Sequence, residues 1–133
     1  MARIRHIAMT TKEPAKVAEF YKAAFGLKEL RRSPNGAVFL SDGHINIAIL
    51  NLKDEKSLDM GAHGPNFTGI HHFGFEVDDL DQACEKLENA HAQRLSAKDG
   101  VDAAMAGGGH ANFEMKWSGV VIDISHTGWE GTH

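Results

Sequence analysis

Three polar residues interrupt otherwise apolar, strand-like runs: His6 in Arg5-His6-Ile7-Ala8-Met9-Thr10, His72 in His71-His72-Phe73-Gly74-Phe75-Glu76-Val77, and Asp123 in Val120-Val121-Ile122-Asp123-Ile124-Ser125. Strand side chains alternate between faces. If Ile7 and Met9 pack on a helix, His6, Ala8 and Thr10 share the opposite face. By the same rule His72, Gly74 and Glu76 oppose Phe73, Phe75 and Val77, and Val121, Asp123 and Ser125 oppose Val120, Ile122 and Ile124. Any one of the three alone reads as a solvated polar residue on a half-exposed sheet. Together, two imidazoles and a carboxylate on one face, with small neighbours, are a donor set for one catalytic divalent cation with open coordination positions. Fe, Mn, Ni, Co and Zn are all compatible with it.

The elements that must position these residues form a weak internal repeat. Each of the two histidine strands leads into a helical pattern. The first helix is predicted from about Pro14 to Phe25, with Pro14 in its first turn, Gly26 as C-terminal cap, and Val17, Phe20, Tyr21, Ala24 and Phe25 on its buried stripe. The second is predicted from about Leu80 to Ala90 behind Asp78 and Asp79 as capping candidates, with Leu80, Ala83, Cys84 and Leu87 inward. Further strands follow: around Lys28 to Arg32, Ala37 to Leu40 and Ile45 to Leu52 in one half, and near Gln93 to Ala97, Asn112 to Trp117 and Val120 to Ser125 in the other.

The fold expectation is therefore α+β, a single domain over residues 1–133 made of two tandem βαβββ modules whose sheets form a metal-binding groove. Module one covers about 3–52, a linker about 53–69, and module two about 70–128. His6 and His72 occupy matching repeat positions. Aligning Ile122-Asp123-Ile124 with Ile47-Ala48-Ile49 pairs Asp123 with Ala48.

Length and composition agree with a folded domain: 133 residues, 42% hydrophobic and 24% charged, with 14 basic and 18 acidic residues interspersed. Interspersed charge of net -4 gives no basic nucleic-acid patch. Apolar runs are strand-sized, too short to span a bilayer, and the N-terminal residues lack a signal-peptide core, so a cytoplasmic location is expected. Cys84 is the sole cysteine. It excludes intrachain disulfides, reads as a buried helix-face thiol, and receives no role. Gly107-Gly108-Gly109 neither follows a strand nor opens a helix, so it reads as a loop, at most a lid, rather than a phosphate cradle.

Several segments together resemble the vicinal oxygen chelate superfamily, which includes glyoxalase I, methylmalonyl-CoA epimerase, extradiol dioxygenases and the fosfomycin or bleomycin resistance proteins. They are Arg5-His6-Ile7-Ala8, Glu19-Phe20-Tyr21-Lys22 leading to Phe25-Gly26-Leu27, Gly69 to Asp79, and Ser118 to Ile124. The Gly-x-His-His segment and its Glu-Val-Asp tail are closest to the epimerases. The resemblance implies His6, His72 and Asp123 as metal ligands. Ala48 stands where glyoxalases and epimerases carry a fourth ligand, Glu or Gln, and Asp123 replaces a usual Glu.

It further implies a small oxygen-chelating substrate and proton transfer through a metal-stabilised enediolate, with Asp123 or Glu76 as the expected catalytic carboxylate and Glu114 as another possible base. Asn46, Ala48, His110 and His126 are expected against the substrate. One alternative is an Fe(II) extradiol-type ring-cleavage dioxygenase using a His-His-Asp triad. Another is a metal-free binding or resistance protein. A homodimer is expected, Trp129 is expected to pack on the chain's own sheet, with closing the groove or covering a dimer contact as its other uses, and His44, His63, His71, His91 and His133 are read as surface or loop residues.

Overall fold

The computed structural model describes residues 1–53, 58–95 and 111–132. Module one comprises β1 (Arg3–Thr11), α1 (Pro14–Phe25), β2 (Lys28–Arg32), β3 (Val38–Ser41) and β4 (Asn46–Asn51). Module two comprises β5 (Gly69–Glu76), α2 (Leu80–Asn89), β6 (Gln93–Arg94), β7 (Phe113–Trp117) and β8 (Val120–Ser125). The expected βαβββ order is present twice. The linker carries one 3-10 turn, Gly61–His63.

The modules do not form two facing sheets. They join edge to edge through antiparallel pairing of β1 with β5, giving one sheet of eight strands in the order β2-β3-β4-β1-β5-β8-β7-β6 among the described residues. Within each module the last strand returns parallel to the first, β4 to β1 and β8 to β5, because a crossover helix separates them in sequence. The two first strands are thus central, and both histidines lie at the middle of the sheet.

Each helix covers one flank of one sheet face. Pro14 starts α1, and Gly26 ends it at φ 70, a left-handed conformation that costs glycine little. Asp79 caps α2 by accepting a hydrogen bond from the Gln82 backbone N–H, which selects it over Asp78. Ala18 of α1 packs on Val38, Leu40 and Ile49 of the sheet, with Val17, Tyr21, Met9, Leu27 and Ile47 around them. Cys84 of α2 packs on Phe113, Met115 and Ile124 of the sheet, with Leu80, Ala83, Leu87, Phe75 and Ile122 around them. Cys84 donates to Glu88 and receives a bond from Arg94, and burial raises its thiol pKa, as suits a packed rather than a reactive thiol.

The expected stripe of α1 is out of phase at one edge. Pro14 and Ala18 are its buried residues, whereas Phe20 and Phe25 are 59% and 69% exposed and Ala24 is exposed. An aromatic-rich turn satisfies the i, i+3, i+4 rule from more than one starting residue. The small Ala18 is the residue that allows α1 to approach the sheet, while Phe20 meets the Tyr21 ring edge-on and Phe25 stacks on it.

The face opposite the helices is also roofed. Ala8 and Thr10 are fully buried there, and Ala48 and Leu50 nearly so. The linker covers one side, with Leu58 on Ala8, Ala37, Ala48 and Leu50, and the Thr10 hydroxyl donating to the Phe67 carbonyl. The residues after β8 cross to module one on the other side. There Ser41 Oγ donates to the Gly131 carbonyl at 2.7 Å, and Arg31 pairs with Glu130 at 3.5 Å. No helix among the described residues is long and apolar enough to cross a membrane.

Candidate metal centre

The sheet register explains why three residues far apart in sequence meet. One row across the sheet reads Ser41, Asn46, His6, Gly74, Asp123, Glu114, and the next reads Phe39, Ala48, Ala8, His72, Val121, Lys116. The rows are related by the internal two-fold symmetry. His6 corresponds to His72, and Asp123 to Ala48, as the sequence alignment predicts. Glu114 corresponds to Phe39. The face is therefore chemically lopsided: two carboxyls on the module-two side, and an alanine and a phenylalanine on the module-one side.

One ligand atom each from His6, His72 and Asp123 lies within 4.8 Å of the other two, and all three residues are buried. His72 Nε2 is 3.1 Å from Asp123 Oδ2. Asp123 Oδ1 is buried without a hydrogen-bond partner, a costly state for a carboxylate oxygen that a bound cation would relieve. Small movements would bring these donors to the ~2.0–2.2 Å that divalent transition metals take with imidazole and carboxylate ligands. The three residues thus fit a metal.

The orientation of His6 supports the same fit. Asn46 Nδ2 donates to the Glu130 carbonyl at 3.0 Å, so the amide's Oδ1 is the atom facing His6 Nδ1, 2.8 Å away. Only Nδ1–H can donate to that oxygen. Neutral His6 therefore carries its lone pair on Nε2. Burial, reinforced by the neighbouring His72, pulls the His6 pKa down to about 4, favouring the neutral ring that a metal requires.

Trp129 lies flat on His6, with ring centroids 4.8 Å apart and planes 4° from parallel. A Cβ on Gly74 would stand 2.6 Å from the indole Cη2, so the space opened by this glycine is filled by Trp129 rather than left for a ligand. Of the three uses expected for Trp129, the structure shows packing on its own sheet, where it also covers His6.

Burial alone would raise the Asp123 carboxyl, but His72, by its charge and by its hydrogen bond, with smaller contributions from His6 and from a hydrogen bond to Glu114, holds it below the usual carboxylate range. Glu114 responds in the opposite direction. Half-buried beside Asp123, it is pushed up to about 7 by burial and by that neighbour's charge. A carboxyl raised in the folded state binds more protons than in the unfolded chain between about pH 4.5 and about pH 7. Its contribution to the metal-free protein must therefore fall as pH rises through that window. Glu114→Gln is expected to remove that decline, as urea denaturation at stepped pH would show. An unchanged slope would mean that Glu114 titrates normally.

The remaining expected site residues separate. Asn46 lies beside the cluster as the partner of His6. Ala48, 2% exposed, belongs to the apolar half with Ala8, Ala37 and Leu50. Glu76 shares the face of His72, but its carboxylate lies toward Arg3 at 3.7 Å and Arg5 at 4.0 Å, outside the cluster. His126 is exposed beside Asn112. His110, Gly107-Gly108-Gly109 and His133 lie outside the described residues.

His71 departs from expectation. It is buried, 8% exposed, with Nδ1 2.7 Å from His72 Nδ1 and Nε2 2.8 Å from the Asp59 carbonyl oxygen. The cause is a β-bulge: Met9 pairs with Ile70 and Ala8 with His72, leaving His71 as the extra residue. Strict alternation would turn it away from His72, and a bulge breaks alternation. The neighbouring strand has the matching irregularity at Arg5, one residue before His6.

A family model described as the Glyoxalase/Bleomycin resistance protein/Dioxygenase superfamily matches residues 3–110. No curated protein matches the chain. Among solved structures, a variant of Streptomyces coelicolor methylmalonyl-CoA epimerase in complex with 2-nitronate-propionyl-CoA superposes with a TM-score of 0.68 at 18% identity, covering 92% of this chain and 94% of that one. Methylmalonyl-CoA epimerase from Mycobacterium tuberculosis gives 0.66 at 20%, covering 92% and 85%. A hypothetical protein from Bacillus halodurans C-125 gives 0.67 at 18%, covering 93% of both. At these identities the likeness is one of fold.

Proposed function

Since the chain belongs to the glyoxalase/bleomycin resistance protein/dioxygenase superfamily, we propose that it is a divalent-metal enzyme of the proton-transfer type, acting on a small substrate with two adjacent oxygens. His6 and His72 through Nε2, and Asp123 through its carboxylate, hold the ion. The bound ion supplies Lewis-acid polarisation of the substrate oxygens.

The observation that carries the proton-transfer reading is the second carboxyl, Glu114, directly beside the ligand Asp123 in the sheet. Ala48 cannot supply a fourth protein ligand, which would leave room for substrate oxygens on the ion, while Glu114, hydrogen-bonded to Asp123 but outside the three-residue donor set, would take or return a proton at its carboxylate oxygen. Glu76 is assigned a different task, since Arg3 and Arg5 hold its carboxylate. Trp129 excludes water from the face of His6.

The test is loading with Zn2+, Co2+, Mn2+, Ni2+ and Fe2+, followed by incubation in D2O with 2-oxo acids, hemithioacetals and acyl-CoA thioesters. The thioester panel includes methylmalonyl-CoA, which one structural relative holds. Exchange of a carbon-bound proton in NMR, lost in Glu114→Gln with metal content unchanged, is the expected result. Oxygen uptake on catechols by the Fe2+ form, with no exchange in any substrate, would replace this reading with ring cleavage. Absence of stoichiometric metal would remove both.

A further inference from the structure

The buried ring of His71 has a role that neither the ligand set nor the proton transfer uses. The Asp59 carbonyl oxygen can only accept, so the His71 nitrogen 2.8 Å from it, Nε2, must be an N–H donor. In the neutral ring the other nitrogen, Nδ1, then has a lone pair. It faces His72 Nδ1 at 2.7 Å, which must carry the proton of that bond. His72 Nε2, 3.1 Å from Asp123 Oδ2, donates to that oxygen, and because Nδ1 keeps its proton for His71, Nε2 is the nitrogen that gives up its proton when a metal binds.

Asp59 is itself fastened. Its carboxylate takes Lys116 Nζ at 3.0 Å and the Gly61 backbone N–H at 3.0 Å, so the carbonyl that starts the chain is set by the docked linker. His6 has an analogous chain through Asn46 to the Glu130 carbonyl. Both imidazoles are thus oriented by backbone carbonyls of segments outside the sheet, one from the linker and one from the residues after β8.

We infer that His71 is a positioning residue: by relaying the Asp59 carbonyl to His72 Nδ1, it holds His72 in the tautomer that offers Nε2 to a metal shared with His6 and Asp123. The inference rests on the metal reading above. A hydrogen bond to the outer nitrogen of a ligating histidine fixes its ring and raises its basicity, and losing such a partner costs about 10–100-fold in metal affinity. The β-bulge exists at this point because only an extra residue can bring its ring alongside the next one on the same strand.

The experiment uses Zn2+ alone as probe, by competition titration with a chromophoric chelator, on the wild-type chain, His71→Gln and His71→Leu. Glutamine keeps an acceptor for His72 Nδ1–H and a donor for the Asp59 carbonyl; leucine keeps neither. His71→Leu is expected to raise the Zn2+ Kd by about 10–100-fold, and His71→Gln to recover most of that loss. Long-range 1H–15N correlation on the wild-type Zn2+ form, which needs no variant to fold, is expected to show His72 protonated at Nδ1 and metal-bound at Nε2, and His71 protonated at Nε2. A wild-type chain that binds no Zn2+ would overturn the metal reading itself. A wild-type chain that binds Zn2+, with His72 coordinating through Nδ1 or with equal Kd in all three proteins, would overturn the role of His71 while leaving the metal site standing.

Discussion

His72→Ala is expected to weaken divalent-metal binding by roughly 10²–10³-fold, the largest effect of any single substitution in this chain. The magnitude follows from sharing the ~10–16 kcal/mol of a four-ligand protein zinc site among its ligands, about 2.5–4 kcal/mol each, with tenfold per 1.4 kcal/mol. His72 should lie at or above that share. Its removal takes away a donor and also leaves the partners on both sides unsatisfied: Asp123 Oδ2, which faces His72 Nε2, and His71 Nδ1, which faces its Nδ1. Asp123 would then be a buried carboxylate whose remaining charge-relieving neighbours are Glu114, through a hydrogen bond, and His6, with Oδ1 already lacking a partner. Breaking such a buried pair costs about 3–5 kcal/mol, so the variant should also melt lower without metal. Isothermal titration with Zn2+ and thermal melts with and without the ion measure the two effects separately. A titration curve matching that of the wild type would remove His72 from the ligand set.

The second large effect is on stability. Trp129→Ala removes an indole that is 7% exposed, stacked on His6 and seated in the space above Gly74. Deleting a buried Trp side chain costs about 3–5 kcal/mol through lost burial and the cavity left behind. For a chain of 133 residues that corresponds to a fall in Tm of roughly 10–20 °C. The variant keeps all three donors and the Asn46 bond to His6, so its Zn2+ affinity should change far less than that of His72→Ala. Differential scanning calorimetry and metal titration on the same sample separate roof from ligand. A variant that melts with the wild type would show that the segment after β8 lies loosely on the sheet.

The candidate site was unusually open to reading from sequence because alternation and repetition constrain it twice. Parity put His6, His72 and Asp123 on one face, and the repeat paired Asp123 with Ala48, a correspondence the sheet register reproduces. The same two rules could not choose between Glu76 and Glu114. Both lie on the right face. Only the cross-strand partners distinguish them: Asp123 beside Glu114, and Arg3 and Arg5 beside Glu76. The stripe of α1 failed for a related reason. Helical spacing states which residues share a face, whereas the depth to which Ala18 lets the helix approach the sheet decides which face is buried.

What the amino-acid sequence determined by itself was local and periodic: the order of strands and helices, the stop at Gly26, the parity of each strand, and the residue types that could bind a cation. The tertiary structure decided what depends on contacts between distant segments. Joining the modules through β1 and β5 made one sheet rather than two and brought the donors together. A single extra residue at His71 reversed its expected direction, because a bulge is a property of two paired strands and leaves no mark on either alone. The roof of Trp129 and the linker, and the two backbone carbonyls that orient His6 and His72, likewise arise from long-range docking. Alternation specifies which way a side chain points; only packing specifies what it meets.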